Sequence, residues 1–330
     1  MTSSEESLFR SKYFRFFLGL AVGATLLYFS AKNVSWTDVK DELENIAYAW
    51  IFVALVFYWI ELTLRITRWR LLLSTLKPPI AVYKIALSFI SGCAANNVLP
   101  AKLGEAFRAD LLGRLASVSR MTALGSIIIE RLSDMIVIFG MTAWGILFIT
   151  TTHLDTASDI HQGLALLAAP IAVLVMAVCF LVVKRNHFIS VKLKTLDIKI
   201  HNLLQGLNAL EDPWTTLKLL GSTVTIWTLN CLAIWSIMMA LHIELSLNQT
   251  ILLVGITGIS AAIPAAPAGI GTLQYAFHIT AVLLDYSASA ALVASAIVQI
   301  ALLGSATLVG ALSYSYAIST HLLPRNETGK

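Results

Sequence analysis

Charge is scarce in this chain. Of its 330 residues only 13% are Asp, Glu, Lys or Arg, about half the share found in an ordinary soluble domain. With 57% hydrophobic residues and a mean hydropathy of +0.78, a water-soluble globular fold is excluded. Cysteine is scarce too. Cys93, Cys179 and Cys231 are each isolated in an apolar stretch, without C-x-x-C spacing or a histidine partner, so they read as packing residues rather than metal ligands. His153, His161, His242 and His278 show no metal-ligand spacing. There is no P-loop, no G-x-G-x-x-G and no Ser-His-Asp set, so nothing argues for a hydrolase or a nucleotide enzyme, and no cofactor is expected. The net charge of +4 reports membrane orientation rather than a nucleic-acid ligand. The apolar run Phe16 to Phe29 lacks a small-residue cleavage site after it and reads as a retained first helix, not a signal peptide.

What the chain has instead is a series of long, nearly uncharged runs, each close to the roughly 20 residues a helix needs to cross about 30 Å of hydrocarbon. Six read as full spans: Phe14–Ala31, Ala47–Leu64, Leu124–Thr150, Leu164–Val183, Leu219–Leu241 and Ala288–Tyr316. The expected fold is an all-α polytopic membrane protein, one integral membrane domain over residues 1–330, with cytoplasmic ends at 1–13 and 318–330. Trp36–Tyr48 differs, with apolar Trp36, Val39, Leu43 and Ile46 at helical spacing against Asp38, Lys40, Asp41 and Glu44. It reads as a short amphipathic helix on the outer surface, with an ordinary solvated connector as the alternative.

Two further apolar stretches, Tyr83–Leu99 and Ile251–Ile263, run into helix-breaking clusters: Asn96-Asn97-Val98-Leu99-Pro100, and Ile263-Pro264-Ala265-Ala266-Pro267-Ala268-Gly269-Ile270-Gly271. Glu105–Leu115 carries too many charges for a lipid-facing span. Each stretch is therefore expected to form a re-entrant hairpin, a broken helix tolerated only where protein or water covers the break. Loop charge favours this arrangement. It gathers Arg65, Arg68, Arg70, Lys77, Lys84, Arg114, Arg120 and the basic Lys184–Lys218 segment on the inner side, leaving Lys32 and Lys40 outside. The motifs Pro100-Ala101-Lys102-Leu103-Gly104 and Pro267-Ala268-Gly269-Ile270-Gly271 share P-A-x-x-G, and three crossings separate them. The result is an inverted repeat, 83–150 against 251–317, and such paired interruptions point to a transporter-like site near the midplane.

Depth selects the polar candidates. At about 1.5 Å per residue from Met121, Glu130, Arg131 and Asp134 sit roughly 13–20 Å into the membrane, where ionisable groups mark sites or self-paired packing clusters. The first break adds Asn96, Asn97, Lys102, Glu105 and Arg108, with a half-helix N-terminus suited to a phosphate or another anionic head group. Glu105 capping that end and pairing with Arg108 is the plainer alternative. The second break adds Gly269, Gly271 and Gln274. Glu61, Arg65 and Arg68-Trp69-Arg70 read as an interfacial anchor. The repeat offset carries Glu130, Arg131 and Asp134 onto Ile297, Val298 and Ala301, so charge is expected only in the first half.

The strings Arg68-Trp69-Arg70-Leu71-Leu72, Asn96 through Arg108 (NNVLPAKLGEAFR), Glu130-Arg131-Leu132-Ser133-Asp134 and Pro267-Ala268-Gly269-Ile270-Gly271 resemble the flippase-like family named for the transmembrane region of lysylphosphatidylglycerol synthase, over roughly Phe14 to Tyr316. The resemblance implies a helical membrane domain that, in the best understood relatives, moves an aminoacylated phospholipid between leaflets; the expected location is the bacterial inner membrane. The chain ends at Lys330 without room for the synthase domain, so lysyl transfer is not expected. The leading expectation is a flippase or transporter of a phospholipid or lipid-linked head group, not an enzyme. The alternatives are a non-transporting scaffold for a lipid-modifying enzyme or glycosyltransferase, and an intramembrane enzyme using Glu130 or Asp134 as base.

Overall fold

The computed structural model describes residues 3–32, 34–74, 76, 78–99, 103–153, 212–263, 266–320 and 322. The span expected over Leu164–Val183, the basic segment after it up to residue 211, Cys179, the candidate Lys102 with Pro100 and Ala101, and Pro264 and Ala265 lie outside the described residues.

The described chain is all helical: α1 (Ser3–Ala31), α2 (Trp36–Glu44), α3 (Tyr48–Leu72), α4 (Val82–Val98), α5 (Gly104–Ala116), α6 (Arg120–His153), α7 (Pro213–Ala240), α8 (Leu247–Ala262), α9 (Thr272–Leu284) and α10 (Ala288–Ser319). A 3₁₀ turn, Pro267–Gly269, joins α8 to α9, and a π-helical segment, Val298–Leu303, interrupts α10. Local chemistry sets several starts. Asp212 accepts from the backbone N–H groups of Trp214 and Thr215 with Pro213 at the first helical position, while Ser246 and Gln249 form a capping box for α8. The Asp212 carboxylate is held below its usual range chiefly by the Thr215 hydroxyl, which donates to it at 2.7 Å.

Tyr48–Leu72, Pro213–Ala240 and Ala288–Ser319 are long and apolar enough to cross a membrane. The sequence-derived spans Phe14–Ala31 and Leu124–Thr150 fall within α1 and α6. The amphipathic segment forms α2, a nine-residue helix with no buried side chain. Both broken stretches fold as helix pairs, α4 with α5 and α8 with α9, each pair packed arm against arm.

The two pairs pack reciprocally. α4 lies along the second half of α10, where Ser91 Oγ donates to the Gly310 carbonyl at 3.3 Å, and α8 lies along α6, where Gly255 meets Thr142. Small residues at these seams let backbones approach closely, which is what drives helix association where lipid offers no hydrophobic contrast. α3 and α7 form the other large seam, with Trp50 edge-on to Trp235 at 5.4 Å.

Candidate functional site

An ion buried among apolar helices is tolerated only with a partner in good geometry. Glu61, Arg65 and Arg68 recur at four- and three-residue spacing and so share one face of α3. On α6, Glu130 and Asp134 are four residues apart and share a face, with Arg131 three residues before Asp134. These faces meet. Arg68 Nη1 donates to Asp134 Oδ1 at 2.7 Å, its Nη2 lies 3.3 Å from Glu130 Oε1, and both Arg68 and Glu130 have fully buried side chains. Arg65 bridges Glu61 at 2.7 Å and Asp134 at 3.3 Å.

Helix α7 closes the network from the other side, because Thr223, Trp227 and Asn230 lie on one of its faces. Thr223 Oγ1 accepts from Arg68, Trp227 Nε1 donates to Asp134 at 3.2 Å, and Asn230 Nδ2 donates to Glu61 at 3.0 Å. From α5, Arg108 donates to Glu130 Oε2 at 2.8 Å. Its guanidinium lies between two rings, 3.6 Å from the Trp69 centroid and 4.3 Å from that of Phe89. Such contacts add cation–π attraction in a desolvated setting.

Arg131 reaches the opposite way. Its side chain is 38% exposed and lies 3.1 Å from Glu105, itself 26% exposed, with Glu130 and Asp134 farther off at 3.6 and 3.7 Å. Glu105 therefore pairs with Arg131 rather than with Arg108, the neighbour that helical spacing suggests. Arg65, Arg68, Arg108 and Arg131 stand against Glu61, Glu105, Glu130 and Asp134, and the connected network is neutral.

Arg131 and Glu105 line a cavity of about 300 Å³ where the tips of both helix pairs meet. The first tip contributes Asn96, Asn97 and Leu99; the second contributes Ile263, Ala268 and Gly269. Asn97 Nδ2 donates to the Leu303 carbonyl and to Thr307, tying this tip to α10. The second tip is shaped by backbone rather than charge. Ala268, Gly269 and Gly271 have φ of +53°, +68° and +87°, and Gly271 packs against the Gly23 backbone of α1 so closely that a Cβ would collide with it. Gln274 accepts from the Gly271 N–H at 2.7 Å and donates to Gln299, which donates to the Ala268 carbonyl at 3.2 Å.

Of the residues proposed from sequence, Asn96, Asn97, Glu105, Arg131 and Gly269 line the cavity. Glu130, Asp134 and Arg108 lie in the ionic cluster behind it, and Gly271 and Gln274 hold the second tip. Sequence reasoning missed the part played by Glu61, Arg65 and Arg68, read as an interfacial anchor. The signal for them was their shared helical face. Among the described residues no cluster of His, Cys, Asp or Glu could hold a metal ion.

Residues 16–310 match the family described as the lysylphosphatidylglycerol synthase TM region. The chain is also 28% identical, over 240 residues, to a UPF0104 membrane protein of Methanocaldococcus jannaschii, a match spanning 70% of this chain and 98% of that protein. With its apolar helices and paired breaks, this chain belongs to the lysylphosphatidylglycerol synthase TM region family and is a multi-pass membrane protein.

Proposed function

We propose that the protein is a flippase-like carrier, not an enzyme, that moves a phospholipid or lipid-linked head group between leaflets through the cavity between its two hairpin tips. The observation that carries this reading is the cavity itself. It sits where two helix breaks converge and is lined by an arginine and a carboxylate among otherwise uncharged described residues. Broken backbone at membrane depth is tolerated where it lines such a polar space. The second arms α5 and α9 both begin at its wall, with Glu105 and Thr272, and positive helix ends favour an anionic group such as phosphate.

An inverted repeat is supported by the lining. Pro100 and Pro267 are 167 residues apart in sequence. At that offset Asn96 corresponds to Ile263, Leu99 to Ala266, Glu105 to Thr272 and Arg131 to Val298, and every member of these pairs lines the cavity. Reciprocal packing of α4 on α10 and of α8 on α6 fits the same pseudo-twofold relation. The reading extends to six spans with two re-entrant hairpins, in the inner membrane of a bacterium, with both chain ends cytoplasmic, on the strength of the loop charge.

The test is reconstitution of the purified protein in liposomes carrying fluorescent anionic, zwitterionic and aminoacylated lipids and a polyprenyl phosphate, with leaflet exchange followed by reagent accessibility. Exchange above that of protein-free vesicles, lost in Arg131→Gln while the fold is kept, is the expected result. Absence of exchange for every lipid class in folded protein overturns the proposal and leaves a scaffold for a lipid-modifying or glycosyl-transferring enzyme as the reading to pursue.

A further inference from the structure

We infer that the cavity takes a zwitterionic head group, a phosphate diester carrying its own primary ammonium as in phosphoethanolamine lipids, with the phosphate on Arg131 and the ammonium on Glu105. This rests on the carrier reading above and names the substrate class of the same site.

The first argument is charge balance. Arg131 and Glu105 are the charged residues lining the cavity among those described, and they already face each other at 3.1 Å. Behind them three arginines and three carboxylates are matched: Arg65, Arg68 and Arg108 with Glu61, Glu130 and Asp134. A purely anionic head group that took Arg131 would strand Glu105 and leave the partly desolvated site with one excess negative charge, which is costly in such a setting. A cationic head group on Glu105 would strand Arg131 in the same way. A head group with one charge of each sign exchanges the Arg131–Glu105 pair for two new pairs and keeps the site neutral.

The second argument comes from two unsatisfied polar atoms on the cavity-lining residues. Arg131 Nε is buried and, although near Glu105, makes no hydrogen bond of acceptable geometry; Asn96 Oδ1 is buried without a donor. Buried polar groups left unpaired call for an explanation, and an absent ligand is one. The orphan donor asks for an acceptor such as a phosphate oxygen, and the orphan acceptor asks for an N–H. Asn96 packs against Gly104, directly before Glu105, so the orphan acceptor lies beside the residue assigned to the ammonium. A primary ammonium has three donors and can serve both, while a quaternary one has none.

The experiment compares leaflet exchange, and thermal stabilisation of the detergent-solubilised protein by short-chain lipid, for phosphatidylethanolamine, phosphatidylglycerol and N-acetylated phosphatidylethanolamine. The wild type should prefer phosphatidylethanolamine over both net-anionic lipids by on the order of tenfold, the scale of one charge-assisted hydrogen bond. Glu105→Gln leaves the network one positive charge in excess and should reverse the order, favouring phosphatidylglycerol. Equal response to all three lipids, or a wild-type preference for the anionic ones, overturns the zwitterion assignment and leaves the carrier intact. An unchanged order in folded Glu105→Gln overturns the seat on Glu105. No exchange of any lipid overturns the carrier, and the substrate assignment falls with it.

Discussion

The two hairpins meet at one cavity but are held by different forces. The first, α4 and α5, is anchored by charge: Arg108 reaches from α5 to Glu130 on α6, and Arg68 from α3 engages Glu130 and Asp134. The second, α8 and α9, is anchored by close backbone approach and neutral amides: Gly271 against Gly23, and Gln274 with Gln299 around the Ala268 turn. The difference teaches that a similar bent-arm geometry can be stabilised in two ways, only one of which leaves ions at a cavity wall. Ion pairs tolerate little loss of a partner, whereas a close approach tolerates little gain of volume.

Removing one ion should break the first hairpin most severely. Glu130→Ala strands the buried Arg108 and leaves the buried Arg68 with Asp134 as its one carboxylate, and should cost about 3–5 kcal/mol, seen as loss of folded protein or a large fall in Tm in detergent; an unchanged Tm would show that the cluster is not held by charge. Adding one methyl should break the second. Gly271→Ala places a Cβ at positive φ against the α1 backbone and should cost about 2 kcal/mol, read in the same melt, while Gly221→Ala, where a Cβ meets nothing within 4 Å, serves as the control.

Smaller effects sharpen the contrast. Gln299→Leu removes the donor to Ala268 and the acceptor for Gln274, and should cost about 1 kcal/mol, with faster proteolysis near residues 266–271 as a local readout. Arg131→Gln should change stability by less than about 1 kcal/mol, since its side chain is partly exposed, yet abolish lipid exchange. Together the four variants separate residues that hold the hairpins from the residue proposed to meet the lipid; loss of exchange in Gln299→Leu with full activity in Arg131→Gln would invert that assignment.

Much of the fold was legible from the chain. Helix breaks at Asn96 through Pro100 and Pro264 through Gly271 follow from what proline and glycine do to the backbone ladder, and the helix pairs form around them. Asn96, Asn97, Glu105 and Gly269 were picked at those breaks and Arg131 by its depth in a span, and all five line one cavity. The pairing of charges was not legible in this way. Helical spacing offered Arg108 to Glu105, but α6 brought it Glu130 from 22 residues away, and Arg131 took Glu105 instead.

Composition and hydropathy by themselves determined that this chain is a helical membrane protein, because the demand for backbone hydrogen bonds in hydrocarbon leaves so apolar a chain few other options. The positions of proline and glycine in the sequence determined where its helices break. Only the tertiary structure decided which ions neutralise which, that Glu61, Arg65 and Arg68 of α3 join the cluster, and that Arg131 faces the cavity while Arg108 lies between aromatic rings. The reason is range. Periodicity and helix breaking act over a few residues, whereas Arg68 meets Asp134 across 66 residues of sequence and Thr223 across 155, and such meetings are fixed by how whole helices pack.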